Sequence, residues 1–268
     1  LAEVAQTPAP EDRERAHAMV REALESGDGA RTRALLQSLY LGGWSAAEIF
    51  DGPVRVALAS LGELWQHAEW GIVVEHRATN VAIQAINQLR GIMPSAPEHA
   101  PVALGCSCEN DPYVVPTLMA SCVLGEAGFR DVNLGNHTPM RVLIAAARQY
   151  TPALVWISAS VSGEFERRRH ELTAAAKELA EIGARLVVGG RGFASSEARA
   201  LPGVSVAGTM QELDEVGRAV LKDARAAANG AEPRPAPLQE AHGAGGSAGG
   251  LTGGSPQAHG SGNGHGHG

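Results

Sequence analysis

Between residues 11 and 93, apolar side chains recur at three- and four-residue steps through EDRERAHAMVREALESGD, ARTRALLQSLYLGG, SAAEIFDGPVRVALASLGELWQHAEW and GIVVEHRATNVAIQAINQLRGIM. That period lines one face of a helix, and Gly27, Gly42-Gly43 and Gly52-Pro53 supply the breaks. A bundle of about four helices is therefore expected over residues 8–93. After the linker PSAPEHAP (94–101) the pattern changes. Short apolar runs, VALGCS (102–107), DVNLG (131–135), ALVWISAS (153–160), RLVVGG (185–190) and VSVAG (204–208), alternate with the amphipathic stretches TLMASCVLGEAG, MRVLIAAARQY, EFERRRHELTAAAKELAEIG, SSEARAL and QELDEVGRAVLKDARAAA. Parallel strands need helical crossovers, so residues 102–228 are expected to form an α/β domain: a flavodoxin-like, doubly wound, five-stranded parallel sheet.

The remainder, 229–268, is rich in Gly, Ala, Pro and His and nearly devoid of large apolar side chains. It buries too little surface to offset its ordering entropy, and a disordered tail is expected. In a doubly wound sheet, ligands lie beyond the carboxyl ends of the strands. The loops to inspect are 106–113, 135–139, 158–163 and 189–192, all rich in Gly, Ser or other polar residues. They suit a small-molecule site.

Composition narrows the classes. With 22 Lys+Arg against 29 Asp+Glu the net charge is −7, which lacks the basic footprint of a nucleic-acid binder. Arg167-Arg168-Arg169-His170 reads as a solvated helix face. No apolar run approaches the ~18 residues of a membrane span, and the acidic N-terminus lacks the layout of a secretion signal, so a cytoplasmic protein is expected. Three cysteines, Cys106, Cys108 and Cys122, fit a reducing compartment, and the C-x-C pair lacks the second pair a zinc site needs. No Ser-His-Asp ordering, P-loop, G-x-G-x-x-G helix start or H-E-x-x-H occurs, so hydrolytic, nucleotide-dependent or zinc catalysis is not expected and the chain is read as a non-enzyme.

Several segments carry a resemblance to a known family. GELWQHAEWGIVVEHRATN (62–80) resembles the signature of CarH-type light sensors, a Trp followed after about nine residues by Glu-His. LGNHTP (134–139), SASVSGE (158–164) and GGRGF (189–193) resemble the L-G-x-x-T-P, S-x-x-x-S and G-G segments of cobalamin-binding modules, including that of methionine synthase. The spacing has a physical sense: on one continuous helix Trp65 and His76 return to within about 20° of the same face, about 16 Å apart, with Ile72, Thr79 and Ile83 near that stripe. Without the resemblance, Trp65 reads as bundle core and Glu75-His76 as solvated surface.

The resemblance implies cobalamin, as adenosylcobalamin, between bundle and sheet, with Trp65, Glu75, His76, Asp111, Tyr113, Gly135, His137, Thr138, Ser158, Ser160, Ser162, Gly189, Gly190 and Arg191 at the cofactor. Ser158, Ser160, Ser162, Gly189 and Gly190 are implied to line a groove for its nucleotide tail. One departure stands out. Where the family has D/E-x-H-x-x-G, whose His ligates cobalt and whose acid orients that His, this chain reads Asp111-Pro112-Tyr113-Val114-Val115-Pro116. A neutral phenol is a poor cobalt ligand, so cobalt is expected to keep its own base or to take His67, His76 or His137. A related group, the photocobilins, adds a bilin such as biliverdin, and Tyr113 suits an aromatic wall for such a pigment. The cysteines are read either as structural or as bilin attachment points, His137 as a loop residue or a pigment contact, and Arg191 as a carboxylate or phosphate partner or a solvated side chain.

The leading expectation is a tetrapyrrole photoreceptor, assembling as a homo-oligomer such as a dimer and signalling through self-association or a separate effector that the sequence does not identify. Two alternatives remain: a corrinoid carrier or enzyme subunit, and a cofactor-free interaction domain of the same fold.

Overall fold

The computed structural model describes residues 12–64 and 69–230. The helical half begins with α1 (Arg13–Ser26) and α2 (Gly29–Leu41). Both start on an Asp whose carboxylate accepts from a backbone N–H three residues on, Asp12 from Arg15 and Asp28 from Arg31. Gly27 ends α1 in the left-handed region, φ 74°, a conformation that glycine adopts without a Cβ clash. A short helix α3 (Ala46–Ile49), opened by a Ser45–Glu48 capping box, runs into a π-turn (Phe50–Val54) and then α4 (Arg55–Leu64).

The break expected at Gly52-Pro53 is therefore a kink. Pro53 has no N–H to donate and pushes its predecessor out of the helical region, and Gly52 absorbs this at ψ −107° while the wider turn carries the chain through. A long helix α5 (Glu69–Arg90) completes the bundle, packing on α1, α2 and α4. The single helix assumed for the Trp65–His76 spacing is thus two helices lying against each other. Trp65 and His67 themselves lie outside the described residues.

The second half is the expected sheet: β1 (Val102–Ser107), β2 (Arg130–Asn133), β3 (Leu154–Ser158), β4 (Arg185–Gly189) and β5 (Val204–Ala207), all parallel in the order β2-β1-β3-β4-β5. Helices α6 (Val115–Ala127), α7 (Met140–Tyr150), α8 (Glu164–Glu181) and α9 (Ser196–Arg199) make the crossovers, and α10 (Met210–Gly230) follows β5. Val102, Leu104 and Cys106 of β1 pack with α7 and α8, while Ala103 of β1, Leu154 and Trp156 of β3 and Val187 of β4 pack with α6 and α10. Helix α10 runs to Gly230, and the tail from 231 lies outside the described residues.

Bundle and sheet share a core: Val115, Met119, Cys122 and Val123 of α6 belong to the same apolar cluster as Leu36, Phe50, Ile86 and Leu89. Polar contacts set the orientation. The Ala46 N–H donates to Glu126 Oε2 near the end of α6 (2.9 Å). The Asp51 carboxylate accepts from Met210 and Gln211 N–H at the start of α10 (3.0 and 2.9 Å), holding the orphan donors there. From Ala46 to Asp51 the chain thus climbs from the amino to the carboxyl side of the sheet, and α4 continues that way. Helix α5 returns, and Arg90 donates to Ser121 Oγ (3.0 Å) and Asp131 Oδ1 (2.5 Å) at the start of β2. Helix α5 is about 33 Å long, against about 20 Å for β1. No helix among the described residues is long and apolar enough to cross a membrane.

Candidate functional site

The carboxyl edge is built around Asp111. Its side chain is buried at 1% exposure and accepts from Tyr113 N–H at Oδ1 (3.0 Å) and from Ser160 N–H at Oδ2 (2.5 Å). The carboxylate thus ties the loop after β1 to the loop after β3. Both of its oxygens are engaged with backbone, whereas the motif resemblance implies that it orients an imidazole. Tyr113 is 48% exposed, its ring on the solvent side of the loop. Ser107 joins the next loop: its N–H donates to the Gly135 carbonyl (2.9 Å) and its carbonyl accepts from Thr138 N–H (3.3 Å). Gly135 sits at φ 81°, and its N–H is held by Asn133 Oδ1 (2.8 Å). His137 also has positive φ, 54°, and is exposed, while Thr138 is buried.

On the β3 and β4 side, Ser158 is buried, and among the described residues its Oγ has no hydrogen-bond partner. Ser160 is half-buried, and Ser162, Gly190 and Arg191 are exposed. Gly189 and Gly190 are demanded by the fold. A Cβ on Gly189 would stand 2.7 Å from the Ala207 carbonyl oxygen, and Gly190, at φ 92°, lies against the Ala159 carbonyl. At both positions backbone lies against backbone.

Helix α5 contributes Glu75 and His76. Glu75 accepts from Thr79 Oγ1 (3.0 Å) and lies 3.6 Å from His76 Nε2, whose side chain is 70% exposed. Asp111, Tyr113, Gly135, Thr138, Ser158 and Ser160 are therefore brought together at one edge. Glu75 and His76 have no hydrogen bond to these loops among the described residues, and no group of three or more His, Cys, Asp or Glu there is placed to hold a metal ion. Of the three histidines expected as alternative cobalt ligands, His76 and His137 are exposed and His67 lies outside the described residues.

Burial pushes the thiols of Cys106, Cys108 and Cys122 up to about 12. All three are enclosed by the core.

Two contributors escape the sequence reading. Arg168 is not solvated: its side chain is 13% exposed, its Nε donates to Glu164 Oε2 (2.7 Å), and its Nη2 donates to the Glu109 carbonyl (2.7 Å), bracing the β1 loop from α8. The i,i+4 spacing of Glu164 and Arg168 is the signal that points to this pair. The other is Trp156, buried at 3% on the face toward α6 and α10, with its indole over Gly105.

The fold and edge define a helix bundle joined to a parallel sheet whose carboxyl-edge loops are tied to one another. The family model described as B12 binding domain matches residues 16–90, the bundle. No curated protein matches the chain. Among solved structures, the monomethylamine corrinoid protein of Methanosarcina barkeri is similar at 17% identity and TM-score 0.60, covering 78% of this chain and 99% of that one. A cobalamin-binding protein of Desulfitobacterium hafniense aligns at 14% identity and TM-score 0.41, covering 76% and 98%. The methanol:cobalamin methyltransferase complex MtaBC of M. barkeri aligns at 15% and TM-score 0.40, covering 82% and 86%. The first of these likenesses establishes the shared architecture. The match over 16–90 shows that the helical half is similar to that family's model.

Proposed function

We propose that this chain is a light-sensing module that holds a tetrapyrrole at the carboxyl edge of its sheet, beside α5. A corrinoid is the first candidate and a bilin the second. The observation that carries this reading is the loop after β1, taken with the B12-binding match of the bundle: Tyr113 stands exposed where a ligating imidazole belongs, and Asp111 is committed to backbone. A carrier relies on that imidazole to govern cobalt reactivity, and a loop built without one favours sensing over group transfer. When bound, the pigment supplies visible absorption and, as adenosylcobalamin, a photolabile cobalt–carbon bond. The chain supplies the rest. Asp111 and Arg168 fix the loop, Tyr113 offers an aromatic face, and the shared bundle–sheet core is the surface through which a change at the edge shifts packing or self-association.

A corrinoid carrier is the second reading, favoured by a fold that spans nearly all of the monomethylamine corrinoid protein. The test is absorption after dark incubation with adenosylcobalamin, biliverdin or both, then desalting, illumination and sizing. Retained bands that change with light, together with a shift in assembly, are expected. A retained corrinoid whose illumination leaves assembly unchanged favours the carrier, and a colourless protein under all three conditions rejects both.

A further inference from the structure

The groove implied for a cofactor's nucleotide arm rests on that proposed function. On the face toward α6 and α10, the carboxyl end of the sheet carries a row of small residues in register: Ser107 beside Ser158, Ser158 beside Gly189, Gly189 beside Ala207. The next row down pairs Gly105 with Trp156 and Trp156 with Val187. The Trp156 indole lies across Gly105 so closely that any side chain there would meet its shared ring bond. It packs in one cluster with Ala120 and Leu124 of α6 and Leu213 of α10. Two rows are about 7 Å apart, so whatever enters from the edge meets the indole after a single row.

We propose that Trp156 determines which tetrapyrrole this chain accepts, by occupying with its own bicyclic ring the volume that a bicyclic nucleotide base would need. Indole and benzimidazole are nearly the same size and shape, so the two exclude each other. The chain then takes a ring-only ligand, or a corrinoid whose base remains outside the sheet and on its own cobalt. The polar remains of the groove are consistent with this plug. Ser158 Oγ and Trp156 Nε1 are both buried, and among the described residues neither has a hydrogen-bond partner, so the row keeps its donors without the acceptor that a base would bring.

The test compares cobalamin with cobinamide, which lacks the nucleotide arm, on the wild-type chain, Trp156→Ala and Trp156→Phe, reading affinity and the base-on or base-off spectrum. In parallel, free dimethylbenzimidazole is titrated against thermal midpoints without any corrinoid. Wild type and Trp156→Phe are expected to hold the two corrinoids alike, with cobalamin base-on, and to ignore the free base. Trp156→Ala is expected to prefer cobalamin by about tenfold or more and to be stabilised by the free base. Adding Ser158→Ala to it should erase most of that preference. Wild-type preference for base-off cobalamin by about tenfold overturns the proposal, as does a free base that stabilises wild type as much as Trp156→Ala, or fails to stabilise a folded Trp156→Ala. If Trp156→Ala does not fold, the wild-type comparison decides. Should wild type hold neither corrinoid, the corrinoid reading fails, and the free-base titration alone decides whether Trp156 is the plug.

Discussion

A single carboxylate organises the carboxyl edge. Asp111 accepts two backbone N–H groups from two different loops while almost wholly buried, so its removal strands both donors. Hydrogen bonds to a charged group contribute about 1.5–3 kcal/mol each, and Asp111→Ala is expected to cost about 3 kcal/mol in urea unfolding. Asp111→Asn, with one acceptor oxygen left, should lose roughly half of that. A loss below about 1 kcal/mol for Asp111→Ala would mean that water or loop movement replaces the carboxylate. At this scale the sequence announced the right residue for a different task. Asp111 stands out as the acidic member of a motif, yet the bonds it makes depend on Ser160, some fifty residues away, and no local pattern encodes that approach. Arg168 teaches the same lesson in reverse. A run of three arginines reads as solvent-facing until Glu164 and the Glu109 carbonyl are seen to bury the middle one.

Among the elements, the strands follow directly from the sequence because a parallel sheet covered on both faces leaves no polar alternation to obscure its apolar runs. Strand β1 falls on the expected residues, whereas β2 begins one residue and ends two residues earlier than expected. It is an edge strand ending at Asn133, whose side chain turns away to hold Gly135 N–H and the Thr117 carbonyl. Gly27 marks a helix boundary in the sequence, whereas the caps at Asp12 and Asp28 are seen only in the structure. The division between α4 and α5 has no such mark in the sequence, so the stripe linking Trp65 to His76 reads there as one helix.

How α3 docks on α6 was not readable, and it turns on Glu126. Burial raises its pKa from the ordinary 4.5, against the lowering effect of its bond from Ala46 N–H and of Tyr40. A carboxyl whose folded pKa is raised contributes stability that is fully present below 4.5 and is lost as pH rises through the folded value. Glu126→Gln is therefore expected to remove a fall in stability on the alkaline side of 4.5, visible as a flatter difference between variant and wild-type urea midpoints across that window. A difference that does not vary with pH would show that Glu126 titrates normally.

For the whole molecule, the decisive feature is that bundle and sheet bury α6 together. A bundle loosely tethered to a sheet would unfold separately from it; one that shares Val115, Met119, Cys122 and Val123 with the sheet's own helix should not. A single unfolding transition is expected for the described residues, coincident by tryptophan fluorescence and far-ultraviolet circular dichroism. A chain starting at residue 94 should bind hydrophobic dye and lose the sharp transition. Two separated transitions, or a well-packed sheet domain alone, would refute the shared core. Neither the hydrophobic period of the bundle nor that of α6 reveals this partnership, because each pattern shows an apolar face without naming the surface that covers it.

The shared core also sets an order of events during synthesis. The bundle's own helices have all been made once Arg90 is joined, but the side of the bundle that meets α6 stays uncovered until residue 127 has emerged. At about 5–20 residues per second the ribosome leaves that surface open for roughly two to seven seconds. The Asp51 carboxylate waits longer still, since Met210 and Gln211 arrive more than eighty residues after α6 is complete. The first half of this protein is therefore made early and finished late, and the nascent chain is most exposed to chaperones and proteases in the interval between.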